Sequence, residues 1–295
     1  MLHFTSVVPP EWRFRFMGSD ESVAHINRSA AIREQVSAGK LDLTFIPANQ
    51  TTGSQEEINR FFTQSWVYET LLQPAEWLLV FQTDSMLCAN SKSNLNDYLG
   101  YDWVGAPWNL KASFGGNGGL SLRRVSSIIE VLRNNSRPHG GPPEDVFLSN
   151  ALNERPGARM ANGRLSSTFS GEMHSGQKET IAHWFKGSDG ENSEGWIEGI
   201  DDWREGFYEP MGFHTGASGT TLHGAIWGTP QLRAHMWNYC PEIKLILQMD
   251  VAQYVPGDCG AIWKREDGDG MAYNAYATEV IDGVEYPLVP NLIPW

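Results

Sequence analysis

This sequence predicts an α/β fold built on a doubly wound, mostly parallel sheet flanked by helices. Between Trp12 and Asp84, short strand-like runs alternate with stretches of helical periodicity, the order that produces parallel βαβ units. Within that stretch Trp77-Leu78-Leu79-Val80-Phe81, five apolar residues between polar neighbours, reads as a strand buried on both faces. With 295 residues and 41% hydrophobic content the chain can bury a full core.

Taken in order, residues 1–8 read as the end of a helix or a short strand, stopped by Pro9 and Pro10. Residues 12–17 alternate aromatic side chains with arginine, a strand pattern. A helix over 22–38, stopped by Gly39, and a strand over 41–46, stopped by Pro47, come next. Ser54 and Glu57 form a capping box, after which Ile58, Phe61, Phe62 and Trp66 line one apolar helical face. The strand ending at Phe81 leads to Asp84. Residues 114–119 are glycine-rich, equally readable as a mobile loop or as a loop that lets a ligand lie against the main chain. Val125, Ile128, Ile129 and Leu132 mark the core face of a helix, and Pro142-Pro143-Glu144-Asp145 opens another. From about Arg155 periodicity fades. Residues 186–206 read as an acidic, solvated loop, 233–247 as the last clear helix, and the tail to Trp295 as irregular coil.

Composition excludes several classes. A formal net charge of −13 argues against a nucleic-acid partner or an anionic-membrane surface. No window reaches the length of a membrane span, and no basic-then-apolar leader opens the chain. Three cysteines, Cys88, Cys240 and Cys259, form neither a CxxC pair nor an even framework, which points away from a disulfide-stapled secreted scaffold. The sequons at Asn27, Asn49 and Asn134 carry weight only if the chain enters the secretory pathway. Twelve tryptophans suit faces that are part apolar and part wet, as sugars are, although most tryptophans serve in cores.

The chemistry-bearing residues are few. Asp84 stands just past a strand end, where an open α/β sheet places its ligand crevice; it reads either as a turn aspartate or as a ligand for a hard divalent cation. Glu144 and Asp145 suit a helix first turn, or one of them a general base. His214, between hydrophobic and glycine-rich runs, is either structural or a metal ligand. No nucleotide-binding glycine signature, zinc HExxH motif or EF-hand spacing occurs.

A resemblance adds to these readings. Glu76-Trp77-Leu78-Leu79-Val80-Phe81-Gln82-Thr83-Asp84-Ser85, then residues 101–108, then Gly115-Gly116-Asn117-Gly118-Gly119-Leu120-Ser121-Leu122-Arg123, then Glu144-Asp145-Val146-Phe147 resemble the successive motifs of domain-of-unknown-function family 5672. That family is similar to nucleotide-sugar glycosyltransferases of the GT-A fold. The resemblance implies a metal-dependent transferase that moves a sugar from a nucleoside-diphosphate sugar to a hydroxyl of a glycan or other acceptor, with inversion. Residues 1–165 would form the donor half and 166–295 the half that completes the acceptor and metal sites. Asp84 would hold Mn²⁺ or Mg²⁺ with His214 as second ligand, although Gln82 stands where the motif has its first acid. Thr83, Asn117, Gly118 and Gly119 would line the donor. Asp145, or else Glu144, would deprotonate the acceptor, and Trp103, Trp108 and Trp227 would stack on sugar rings. The resemblance also implies a strand and most of a helix ahead of residues 2–8, so that the sheet lacks its usual first strand. The compartment would be cytoplasmic, or Golgi-lumenal with a leader. A non-catalytic sugar-binding or scaffold protein that keeps the fold is the alternative.

Overall fold

The structure, a computed structural model, describes residues 1–174, 209–248, 278–281, 283–289 and 292–293. The acidic stretch 186–206 and Cys259 lie outside the described residues. The fold is mixed α/β, but its sheets are not mostly parallel.

Helix α1 (Leu2–Val7) ends at Val8, whose extended backbone leads into the two prolines. Strand β1 (Phe14–Gly18) pairs in parallel with β2 (Leu41–Phe45), Phe14 opposite Leu41. The single helix expected over 22–38 is two, α2 (Asp20–Ile26) and α3 (Ala30–Ser37), because Asn27 caps the first and Ser29 takes the N-cap position of the second. Helix α4 (Gln55–Phe61) carries the expected capping box, with Ser54 Oγ accepting from Glu57 N and Glu57 Oε2 accepting from Ser54 N. Trp66 lies beyond it, before a separate helical turn at Val67–Leu71.

The expected sheet direction fails at the next step. Strand β3 (Trp77–Phe81) is followed by β4 (Ser85–Leu87), β5 (Trp103–Ala106) and β6 (Asn117–Arg124), and the sheet order is β3-β6-β5 with both pairs antiparallel. Residues 107–116 return the chain from β5 to β6 without a crossover helix, and such a connection yields an antiparallel pair. Strand β3 is half-buried along its length rather than covered on both faces, since among the described residues it pairs on one side only. Strands β1 and β3 sit in separate sheets; Phe4 from α1 fills the seam, stacking on Phe81 at 4.1 Å, while Phe14 meets Phe81 edge-on at 6.2 Å. Helices α5 (Val125–Asn134), α6 (Glu144–Asn153) and α7 (Gly163–Phe169) follow, then β7 (Ser170–Gly171). Strand β8 (Gly212–His214) pairs with β7 in parallel and with β4 antiparallel.

Farther on, β9 (Leu222–His223), α8 (Gly224–Trp227) and α9 (Pro230–Tyr239) close the described C-terminal part. The helix expected over 233–247 ends early, since Pro241 cannot continue it and a 3₁₀ turn replaces it. The tail is less irregular than expected: β10 (Thr278–Ile281) and β11 (Val284–Pro287) form an antiparallel pair, and β12 (Leu292–Ile293) pairs with β9.

Alternation along the central sheet divides the core in two, as the period of a strand requires. Leu79, Val104, Leu120 and Leu122 face one cluster with Phe4, Phe14, Phe169, Phe213, Trp227 and Trp237. Leu78 and Trp103 face the other, with Phe61, Tyr68, Ile128 and Leu148. A disulfide pins the first cluster. Cys88 and Cys240, 152 residues apart, are bonded with their Cα atoms 4.9 Å apart, a bond that the odd count and the absence of a CxxC pair pointed away from.

Two outcomes follow from this packing. Cys240→Ala lowers the unfolding free energy by about 2–5 kcal/mol, measured by denaturant titration, because the long closed loop regains its freedom when unfolded. Glu56 accepts both ends of the Arg137 guanidinium, at 2.9 and 2.7 Å, and these bonds, with one from Gly140 N, hold its pKa down at about 2. A depressed carboxyl stabilises the fold above its unfolded value of 4.5 and loses that contribution as pH falls toward 2. The melting-temperature gap between wild type and Glu56→Gln therefore closes across that window.

Candidate functional site

The site forms where β3 ends. A tight turn carries the chain from β3 to β4: Gln82 N donates to Gly119 O at 2.8 Å, Ser85 N to Gln82 O at 3.1 Å, and Ser85 Oγ to Gly119 O at 2.7 Å. Asp84 sits in that turn, buried, with Gln82 and Thr83 exposed beside it. Its backbone carbonyl accepts from Thr215 N at 2.9 Å and from Thr215 Oγ1 at 3.2 Å, so β8 is tied to the same turn. Register places His214 opposite Ser85.

The imidazole of His214 therefore lies within the turn. Its Nε2 is 3.4 Å from Asp84 Oδ1 and 3.3 Å from Gln82 Oε1, while Nδ1 is 3.3 Å from Glu172 Oε1. Burial alone would lower the His214 pKa, but the two carboxylates outweigh it and raise it to about 9. Asn117 closes the ring of contacts: its Nδ2 donates to Glu172 Oε1 at 3.3 Å, and its Oδ1 accepts from Gly119 N at 2.6 Å. Glu172 was not foreseen. It stands three residues past the end of α7, directly after β7, in the stretch where periodicity fades, with no motif around it.

The glycines of β6 owe their place to close approach. A Cβ on Gly119 would lie 2.2 Å from His214 Nε2, and one on Gly118 would lie 2.6 Å from Glu144 Oε1 and 2.8 Å from Arg123 Nη2. The space that the sequence reading gave to a ligand is filled by the protein's own side chains. Within residues 114–119 only Gly115 and Gly116, with φ of 99° and 136°, need the positive-φ region.

Glu144 and Asp145 reach the site from the first turn of α6. Arg123, fully buried, forks onto Glu144 at 2.9 and 2.8 Å and stacks over Trp103 at 4.4 Å. Asn59 Oδ1 accepts from Glu144 N at 3.0 Å. Glu144 is thus committed to holding β6 against α6. Asp145 is placed by that clamp: Oδ2 accepts from Gly118 N at 2.9 Å and Oδ1 from Val146 N at 2.8 Å.

Of the three tryptophans, Trp108 is 37% exposed and lies against Gly115. Trp103 and Trp227 are core residues at 0% and 2% exposure and present no face to a sugar; the first is stacked under Arg123 and the second meets Trp237 edge-on at 6.0 Å. A cavity of about 700 Å³ between Phe16 and α2 shares no lining residue with the site. Among the described residues no group of three or more His, Cys, Asp or Glu side chains is arranged to hold a metal ion. The donor chemistry at Nε2 does suit one divalent cation with few protein ligands, since a carboxylate oxygen, an amide oxygen and an imidazole nitrogen face one another there.

Breaking the clamp is costly. Arg123→Ala leaves Glu144 buried and uncompensated and lowers stability by about 3–5 kcal/mol in denaturant titration, whereas Arg123→Met with Glu144→Leu recovers most of it.

No curated protein and no solved structure shows a significant match to the chain. Residues 40–183, which contain β2 to β7, Asp84, Asn117, Glu144, Asp145 and Glu172, match the family model described as Protein of unknown function (DUF5672).

Proposed function

We propose that this protein is a metal-dependent glycosyltransferase that uses a nucleoside-diphosphate sugar and a hydroxyl acceptor. One observation carries the reading: Asp84, Gln82 and Glu172 converge on the His214 imidazole, Asn117 joins Glu172 to Gly119, and Gly118 beside it donates to Asp145. A GT-A-like arrangement with Asp84 at a strand end is consistent with it.

On this reading Asp84 and His214, with Gln82 beside them, hold Mn²⁺ or Mg²⁺. The bound ion supplies charge stabilisation to the departing diphosphate. Thr83, exposed next to Asp84, and Asn117 face the donor. Asp145 takes the acceptor hydroxyl proton as the acceptor oxygen bonds the anomeric carbon, whose bond to the diphosphate oxygen breaks with its electron pair. Glu172 keeps Nδ1 of His214 occupied and so leaves Nε2 to the ligand side. Trp108 offers a stacking surface at the rim.

A second reading draws on a specific contact pattern. His214 has a carboxylate within 3.4 Å of Nε2 and another within 3.3 Å of Nδ1, and each Asp145 oxygen accepts a backbone N–H, so the charged groups of the cluster are countered by one another as it stands. A sugar-binding or scaffold protein that keeps the fold would look the same.

Thermal shift separates the two. With Mn²⁺ and a nucleoside diphosphate at a hundredfold excess over Kd, the transferase reading expects a Tm rise of about 5–10 °C. Asp84→Asn abolishes the rise. Asp145→Asn keeps it and lowers transfer by about 10²–10⁴-fold. Glycan binding that survives loss of Asp84 and Asp145 together, without any nucleotide-dependent shift, establishes the second reading instead.

A further inference from the structure

We infer that this chain is a glycoprotein of an oxidising lumen, with N-linked oligosaccharides on Asn27, Asn49 and Asn134. The inference is independent of any catalytic role and rests on two unrelated features.

The first is the bridge between Cys88 and Cys240. Both residues are buried, at 4% and 0% exposure, one just after β4 and the other at the end of α9. Asn90 donates from Nδ2 to Tyr239 O at 2.9 Å, and Glu242 accepts from Ala89 N, so the backbone on both sides of the bridge is fixed. A bridge so enclosed holds structure; redox catalysis needs an accessible sulfur. Structural disulfides of this kind form where thiols are kept oxidised, here by two thiols giving two electrons and two protons to a disulfide donor.

The second is the division of labour among the asparagines. Those that hold the fold lie outside sequons: Asn59 supports Glu144, Asn94 and Asn162 cap helical turns, Asn90 braces the bridge, and Asn117 joins Glu172 to β6. The three sequon asparagines do the opposite. Asn27, Asn49 and Asn134 are all exposed, as are the hydroxyl residues two positions on, Ser29, Thr51 and Ser136. Each sits outside a strand: Asn27 at the end of α2, Asn49 between β2 and α4, Asn134 at the end of α5. Among the described residues the side chains of Asn27 and Asn49 make no hydrogen bond, and Asn134 Nδ2 donates only within its own helix, to Glu130 O at 3.1 Å. A bulky, water-bound oligosaccharide fits all three positions without displacing a packed group.

In the modification, Nδ2 of each asparagine attacks the anomeric carbon of a lipid-diphosphate-linked oligosaccharide. The C–N bond forms, Nδ2 releases a proton, and the lipid diphosphate leaves with the electrons of the broken C–O bond.

The test uses the full chain purified from its own cells. Intact mass before and after peptide N-glycosidase treatment is expected to fall in steps, one per occupied site, leaving aspartate where the glycan stood. Non-reducing peptide mapping is expected to join the Cys88 and Cys240 peptides. In a secretory host, Asn27→Gln, Asn49→Gln and Asn134→Gln each remove one step. Unmodified asparagine at all three positions overturns the glycan assignment, and free thiols at 88 and 240 in the native protein overturn the lumenal one.

Discussion

The fork between Arg123 and Glu144 is the constraint on which the site depends. A guanidinium with no exposed surface is carried by Arg123 near the end of β6, so a counter-charge must be supplied to it, and Glu144 at the mouth of α6 does so. Trp103 and Phe62 cover the guanidinium, the latter at 5.3 Å. Because β6 is the middle strand, fixing α6 to it also fixes α6 relative to β3 and β5. Asp145 then meets the amide of Gly118 across the seam while its other oxygen takes the amide of Val146, and its position follows from its neighbour's ion pair.

On the other face of the same strand, a different rule operates. His214 enters over Gly119 and is met by an acid at each nitrogen. Asp84 is carried there by the turn after β3 and Glu172 by the segment after α7, so the imidazole joins the middle of the chain to its C-terminal part. Glycine at 118 and 119 lets two charged assemblies, one on each side of β6, approach the same few backbone atoms.

What could be read in advance was local. The capping box at Ser54, the strand at residues 77–81 and the apolar face of α5 are encoded within a few positions, and they stand where periodicity put them. Strand direction was not legible, because whether β3 lies beside β5 or β6 depends on partners far along the chain. What packs against the glycine-rich run was out of reach for the same reason: its neighbour, His214, is remote in sequence. Asp84 and His214 were brought together as expected, while Glu172, Gln82 and the pairing of Cys88 with Cys240 carry no spacing signal. Trp103 and Trp227 were assigned by residue type, and type alone does not separate a binding surface from a core.

The disulfide has a topological consequence as well as an energetic one. It closes a covalent ring through β5, β6, α5, α6 and β8, the elements that carry the site. A single peptide-bond cleavage anywhere inside that ring yields two pieces that still travel as one molecule, so a nicked chain keeps His214 tethered beside Asp84 until a reductant separates them.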